Sequence, residues 1–315
     1  MLNSRVLRVL IYLKRLLNSL KCLVIKHEAI KDPLLYMTIL AKNEADVIEK
    51  NLIFHKRMGI DGFIVTDNNS SDGTTEILER YLKKGWIKEI IYETSNVFTQ
   101  VEWVDRMISI AKDKYKADWV VNADADEFWY SSKNDLKSDI KGARNNIFKV
   151  NIYNVLPENE LCFFDNVRLI NITQDLSTYN LSEFSMYGKQ IPKVIHRTKG
   201  YRLITEGNHS VDMSFSNEIL SKDVIIFHYS LRGEEHFKRK MISGGESVER
   251  ALKKDKKIAM HWMYFYKLLQ GCDVNVTDEY RKVVGSDYID EFQEMGVFAS
   301  NNGVRDILRA VEADD

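Results

Sequence analysis

Trp119-Val120-Val121-Asn122-Ala123-Asp124-Ala125-Asp126-Glu127-Phe128-Trp129 (WVVNADADEFW) decides the fold. Trp119–Asn122 is a short apolar run, which predicts a buried strand. It runs directly into two aspartates separated by one alanine. Carboxylates are hard oxygen ligands suited to Mg2+ or Mn2+, ions that are commonly shared with substrate phosphates. Such an ion stabilises a departing diphosphate as a Lewis acid. Two acids in a solvated turn are common, but the apolar strand before the pair and Phe128-Trp129 after it argue against one here.

The same pattern occurs twice upstream. Leu35–Leu40 (LYMTIL) is a buried-strand candidate, followed by Lys42-Asn43-Glu44 and a helical pattern to about Met58. Gly59 and Gly62 bracket a turn. Phe63–Thr66 (FIVT) predicts a second strand, ending in the turn-rich Asp67-Asn68-Asn69-Ser70-Ser71-Asp72-Gly73. Thr74–Lys84 is an amphipathic helix, Ile87–Tyr92 a third strand and Val101–Tyr115 a helix. This alternation predicts an α/β fold built from βαβ units around a mostly parallel sheet. Ligands of such sheets bind beyond the carboxyl ends of the strands. The polar clusters at 42–44, 67–72 and 124–127 all fall there.

From about residue 147 the texture changes. Short β-like pieces occupy Phe148–Val155, Val167–Ile172, Lys193–His196 and Val224–His228. Glu234–Gln270 is helical and charged, with an aromatic patch from His261 to Tyr266, and a last helix runs near Gly303–Glu312.

The chain has 315 residues, 44% hydrophobic and 29% charged, enough for a large core. Its formal net charge of −1 lacks the overall basic excess expected of a nucleic-acid binder. The three cysteines, Cys22, Cys162 and Cys272, form no CxxC pair, which points to free thiols in a cytoplasmic, reducing compartment. Residues 1–30 contain no stretch near the ~20 apolar residues of a transmembrane helix. On a helical wheel Leu2, Val6, Val9, Leu13, Leu16, Leu17, Leu20 and Val24 form one stripe, bordered by Arg8, Arg15, Lys26, Lys14 and Lys21. Two readings compete: peripheral attachment to a membrane surface, favoured by the near-absence of acids, or packing on the protein itself or on a partner subunit.

Several residues are candidates for the chemistry. Asp67 either accepts from a base N–H or ribose hydroxyl, or makes an Asx-turn. Glu44 either caps the following helix or faces a nucleotide, and Lys42 offsets phosphate charge. Arg106 either braces the carboxylates or lies on the surface. His228, after the apolar run Val224–Phe227, is either structural or a further metal ligand. Lys240 lies in a cationic segment with Arg232, His236, Lys238 and Arg239, where one or two side chains suit phosphate.

In order, Lys42-Asn43-Glu44, His55 with Gly59, Asp67-Asn68-Asn69-Ser70-Ser71-Asp72 and Asp124-Ala125-Asp126-Glu127-Phe128 resemble the glycosyltransferase family 2-like group, closest to its branch shading into family 92. The match is best over residues 35–130, and His228-Tyr229 is similar to a later segment of those enzymes. The resemblance implies a GT-A fold, a nucleoside-diphosphate sugar donor (usually UDP), Mn2+ or Mg2+, and inversion at the anomeric carbon. It implies that Glu44 and Asp67 hold the nucleoside, with Asn43 and Asn69 also in the nucleotide-sugar site, Asp124 near ribose and metal, and Asp126 and His228 on the metal. The usual family 2 acidic base followed by a Q-x-x-R-W-type segment is not visible. An inverting transfer must deprotonate the acceptor hydroxyl, and Glu206 and Asp212 are candidates for that base because they fall at about the right distance downstream of the paired aspartates. His209 is a candidate for donor or acceptor contact.

The expected organisation is a basic amphipathic helix over 1–30, a GT-A catalytic domain over 31–232, and a helical extension over 233–315. Within the catalytic domain, 31–130 serves the nucleotide sugar and 131–232 the acceptor. The expected activity is hexosyl transfer to a glycan or lipid-linked glycan, as in polysaccharide biosynthesis. Two rivals are a nucleotidyltransferase making a sugar nucleotide and a non-catalytic glycan-binding relative. The first wants a glycine-rich loop where this chain has Ala41-Lys42-Asn43-Glu44; intact Asp124 and Asp126 count against the second.

Overall fold

The computed structural model describes residues 28–94, 100–251, 260–271 and 275–314. The amphipathic helix expected over 1–30 lies, but for its last three positions, outside the described residues. In chain order the elements are β1 (Leu35–Ala41), α1 (Ile48–Arg57), β2 (Gly62–Asp67), α2 (Thr74–Lys83), β3 (Ile87–Tyr92), α3 (Gln100–Asp113), β4 (Trp119–Asp124), β5 (Glu127–Ser131), α4 (Lys137–Ile140), β6 (Ile147–Asn154), β7 (Arg168–Ile170), β8 (Lys193–Arg197), β9 (Tyr201–Ile204), β10 (Val211–Met213), β11 (Glu218–His228), α5 (Glu234–Ala251), α6 (Met260–Gln270), α7 (Val276–Val284), α8 (Ile289–Glu294), β12 (Phe298–Ser300) and α9 (Gly303–Asp314).

The main sheet has eight strands in the order β3-β2-β1-β4-β8-β6-β11-β5. β3, β2, β1 and β4 are mutually parallel, β8 runs against β4 and β6, β11 runs with β6, and β5 runs against β11. This is the mostly parallel α/β sheet that the alternation predicts. Both faces are covered. Met37, Ile39, Phe63, Val65, Trp119 and Val121 point into one core, and Tyr36, Ile64 and Val120 into a second formed with Val104, Met107 and Ile108 of α3. That two-sided burial explains why the strands are nearly continuous apolar runs. Each fully buried large side chain contributes about 1.5–3 kcal/mol.

Register places the three polar clusters side by side. Ala41 pairs with Asp67 and Leu40 with Asp124, so β1, β2 and β4 end at one level. β4 extends to Asp124 rather than stopping at Asn122, which makes Asp124 the last strand residue and Asp126 part of the turn into β5. That turn also reports curvature. Four flat steps from β4 to β5 would span about 19 Å at about 4.8 Å each. The three residues from Asp124 to Glu127 reach only about 10 Å. The sheet therefore curls, and the acidic turn bridges it.

Two further departures matter. β11 spans Glu218–His228, far longer than the predicted Val224–His228, and leaves its β6 register between Leu220 and Ile225. The stretch expected as a helical extension also contains β12, which pairs with β7, and its α9 returns Val304 and Leu308 to the main core. A third apolar cluster includes Phe237, Phe265, Tyr280 and Phe292, so Phe265 of the aromatic patch is core. Among the described residues no helix is long and apolar enough to cross a membrane.

Candidate functional site

Helix α1 holds the acidic turn from below. Asn51 and His55 are fully buried and one helical turn apart, so they share a face. Asn51 Nδ2 donates to the carbonyls of Ala125 and Glu127, both at 2.9 Å. His55 Nε2 accepts from the Trp129 N–H at 2.9 Å, so its proton sits on Nδ1, toward Asn51. Burial keeps this ring neutral, its pKa pushed down to about 3. His55, which belongs to the resemblance, thus supports the backbone of β5.

The carboxylates above that backbone each have a lysine. Lys193 Nζ, at the start of β8, lies 2.8 Å from Asp124 Oδ2 and is also ion-paired to Glu127. Burial opposes the Lys193 charge, but the two carboxylates hold the ammonium protonated. One cation is shared between a partly exposed carboxylate, Asp124, and a buried one, Glu127. Burial pushes the Glu127 carboxyl up to about 8 despite Lys193, which favours a proton on Glu127. Its Oε2 accepts the Asp124 N–H at 3.2 Å.

On the other side, Lys240 of α5 donates to Asp126 Oδ2 at 2.6 Å and to the Ser230 carbonyl at 3.0 Å. Burial would raise the pKa of Asp126, but Lys240 and Arg232 hold it well below the usual carboxylate range. His228 Nε2 faces Asp126 Oδ1 at 3.7 Å, and its Nδ1 bonds to Asn154 Oδ1 at 2.9 Å. An amide oxygen can only accept, so the proton is on Nδ1 and the Nε2 lone pair points toward Asp126. Burial lowers the His228 pKa to about 4. A carboxylate oxygen and an imidazole lone pair, the latter oriented by a hydrogen bond from its other nitrogen, suit a divalent cation. Among the described residues no group of three or more His, Cys, Asp or Glu side chains is assembled for a metal.

Glu44 meets the start of α1 through its backbone and not its side chain. Its carbonyl accepts from the N–H groups of Val47 and Ile48 at the start of α1. Its carboxylate meets Arg232 at 2.6 Å, and Arg232 also clasps Asp46 at 2.8 and 2.9 Å. Burial raises the Glu44 pKa to about 7, against the pull of Arg232. Asp67 forms the Asx-type arrangement: Oδ1 accepts from Ser70 N at 3.0 Å and Oδ2 from Thr75 Oγ1. Asn43 ties the first two loops together through Ser70 and Ser71, and both Asn43 and Asn69 have positive φ. Lys42 follows β1 at the same edge.

Arg106 of α3 pairs with Glu93 at 2.9 Å rather than with the aspartates. Glu206 and Asp212 are exposed, on the β9–β10 hairpin and its connection. His209, between them, bonds through Nδ1 to the Pro192 carbonyl at 3.3 Å and feels the charges of Lys193 and Asp124. Lys193, Asn51 and Asn154 were not legible as site residues. Each lies inside an ordinary-looking strand or helix, and none has a local signal.

The glycosyltransferase family 92 model matches residues 40–261. No curated protein sequence matches the chain. Among solved structures, TarS 1–349 of S. aureus is 14% identical, with 82% of this chain and 74% of that one covered and a TM-score of 0.40. Mannosyltransferase PcManGT of Pyrobaculum calidifontis, solved with GDP-Man and Mn2+, is 14% identical over 96% and 88%, with a TM-score of 0.41. Glucosyl-3-phosphoglycerate synthase of Mycobacterium tuberculosis is 18% identical over 38% and 44%, with a TM-score of 0.27. The family match takes in all three strand-end clusters, the acidic turn and His228, and by it this chain belongs to glycosyltransferase family 92 and is a glycosyltransferase.

Proposed function

We propose that the chain transfers a hexosyl group from a nucleoside-diphosphate sugar, a UDP-sugar in the first instance, to a glycan or lipid-linked glycan, with inversion and with Mn2+ or Mg2+. The observation that carries this reading is the pairing of Asp126 Oδ1 with the inward Nε2 of His228 beside two lysines, in a chain of this family. Asp126 and His228 would hold the metal with Asp124 at its edge, the remaining ligands being diphosphate and water. When bound, the ion supplies Lewis-acid stabilisation of the leaving diphosphate.

The chain's own residues do the rest. Lys240 and Lys42 suit the diphosphate. Asn43, Glu44, Asp67 and Asn69 border the nucleoside, Asp67 with the lone pairs its loop leaves free. Arg106, through Glu93 next to Asp67, borders the same edge. Inversion needs one base, and the solvent-facing β9–β10 segment offers Glu206 and Asp212, with His209 against Lys193 as an acceptor contact. Residues 31–130 would serve the donor and 131–232 the acceptor, with 1–30 resting on a membrane surface that presents it.

The test is donor hydrolysis across UDP-, GDP- and TDP-sugars, with and without Mn2+. Metal-dependent release of one nucleotide is expected. No hydrolysis of any donor, together with no nucleotide binding by calorimetry, would overturn the reading.

A further inference from the structure

A cavity of about 230 Å3 opens behind Arg232, and its walls include Asp46, Glu160, Phe163, Arg232, His236 and Arg239. It contains none of Asp124, Asp126 or His228. Arg232 is the partition: its guanidinium bonds Glu44 on the donor side and Asp46 on the cavity wall. His236 and Lys240 lie four residues apart on α5, about 6 Å along the axis, so the cavity abuts the acidic turn.

His236 is 8% exposed. Its Nδ1 accepts the Arg232 N–H at 3.2 Å, and burial with Arg232 and Lys240 nearby keeps the ring neutral. The proton is therefore on Nε2. That N–H has no hydrogen-bond partner among the described residues, yet it is not among the buried polar atoms sealed from solvent. It therefore opens onto the cavity the ring lines. Arg239 adds an exposed guanidinium with no ion pair among the described residues. Glu160 and Asp46 supply acceptors, and Phe163 an apolar wall. Gly233, at φ +120°, lets Glu160 close against the start of α5, since a Cβ there would lie 2.6 Å from its carboxyl carbon.

The wall suits a neutral ligand that both donates and accepts. An anion would meet Asp46, Glu160 and Glu235; a cation would meet Arg232 and Arg239. The volume is below the roughly 300 Å3 at which pockets for drug-sized ligands begin, which fits one ring rather than a nucleotide. We propose that this cavity binds one neutral sugar ring of the acceptor, with His236 Nε2–H and Arg239 donating to its hydroxyls and Glu160 and Asp46 accepting from them. The sugar site stands on the cavity alone; its assignment to the acceptor rests on the proposed donor reading.

Saturation-transfer NMR of the intact chain with methyl glycosides of glucose, galactose, mannose and N-acetylglucosamine, with and without UDP and Mn2+, tests it. At least one glycoside should saturate the wild type. Arg239→Met should weaken that binding about tenfold, the effect of one charged hydrogen bond, with unchanged thermal unfolding. His236→Gln, which keeps an N–H donor, should bind better than His236→Leu. No glycoside bound in either condition, equal binding by all variants, or binding of inorganic phosphate in place of sugars would overturn the proposal. UDP titrated into the same samples separates the two readings. Sugar saturation without UDP binding removes the donor reading and leaves the sugar site. UDP binding without sugar saturation does the reverse.

Discussion

The ammonium of Lys193 sits 2.8 Å from Asp124 Oδ2 and also serves Glu127, so one lysine at the start of β8 ties down both ends of the acidic turn. Lys193→Met would leave the Asp124 carboxylate and the buried Glu127 carboxyl with no cation at their side. Leaving a buried polar group without its partner costs about 1–3 kcal/mol. Urea unfolding should show a loss of that order, partly restored by Lys193→Arg. An unchanged midpoint for Lys193→Met would mean the pairing contributes nothing.

Glu127 makes stability depend on pH. Its folded pKa of about 8 lies above the ordinary 4.5, so the folded state holds the proton more tightly. The stabilising contribution is therefore complete below about 4.5 and is lost as pH rises through about 8. Glu127→Gln removes this titration. Thermal unfolding of the wild type should fall relative to Glu127→Gln between about pH 5 and about pH 9. Parallel curves for the two proteins would refute the assignment.

Asn51 and His55 carry the turn's backbone, so their loss should be felt as stability and turn geometry together. His55→Leu orphans the Trp129 N–H, and Asn51→Leu orphans the carbonyls of Ala125 and Glu127. Each unsatisfied buried group costs about 1–3 kcal/mol. Denaturant unfolding should place both variants in that range or beyond, with Asn51→Leu the worse because two bonds go. Wild-type stability in either variant would count against the grip from α1.

Asn154 orients His228 without itself facing Asp126. Removing such an outer hydrogen bond typically costs 10–100-fold in metal affinity. Asn154→Ala should weaken Mn2+ binding, followed by electron paramagnetic resonance, by about that factor. Asp126→Asn should lower sugar transfer by at least about a hundredfold. Mn2+ binding unaltered in both variants would remove the metal from the site.

The sequence by itself determined the strand–helix alternation, the apolar strands and the three polar clusters at their ends. Those features are local: a period of two or 3.6, a turn residue, an acid after an apolar run. It also marked His55 and His228, whose partners it could not name. Only the tertiary structure decided which charges meet. Lys193 is 69 residues from Asp124, Lys240 is 114 from Asp126, and Arg232 is 188 from Glu44. Such pairings depend on the strand order and on the curl that brings β5 round to the end of β4. Arg106 illustrates the same limit: it lies on the helix before the aspartates, yet the packing of α3 aims it at Glu93. The behaviour of Glu127 follows from the same cause. Its pKa is set by burial and by a single lysine shared with Asp124, and neither is written in the residues beside it.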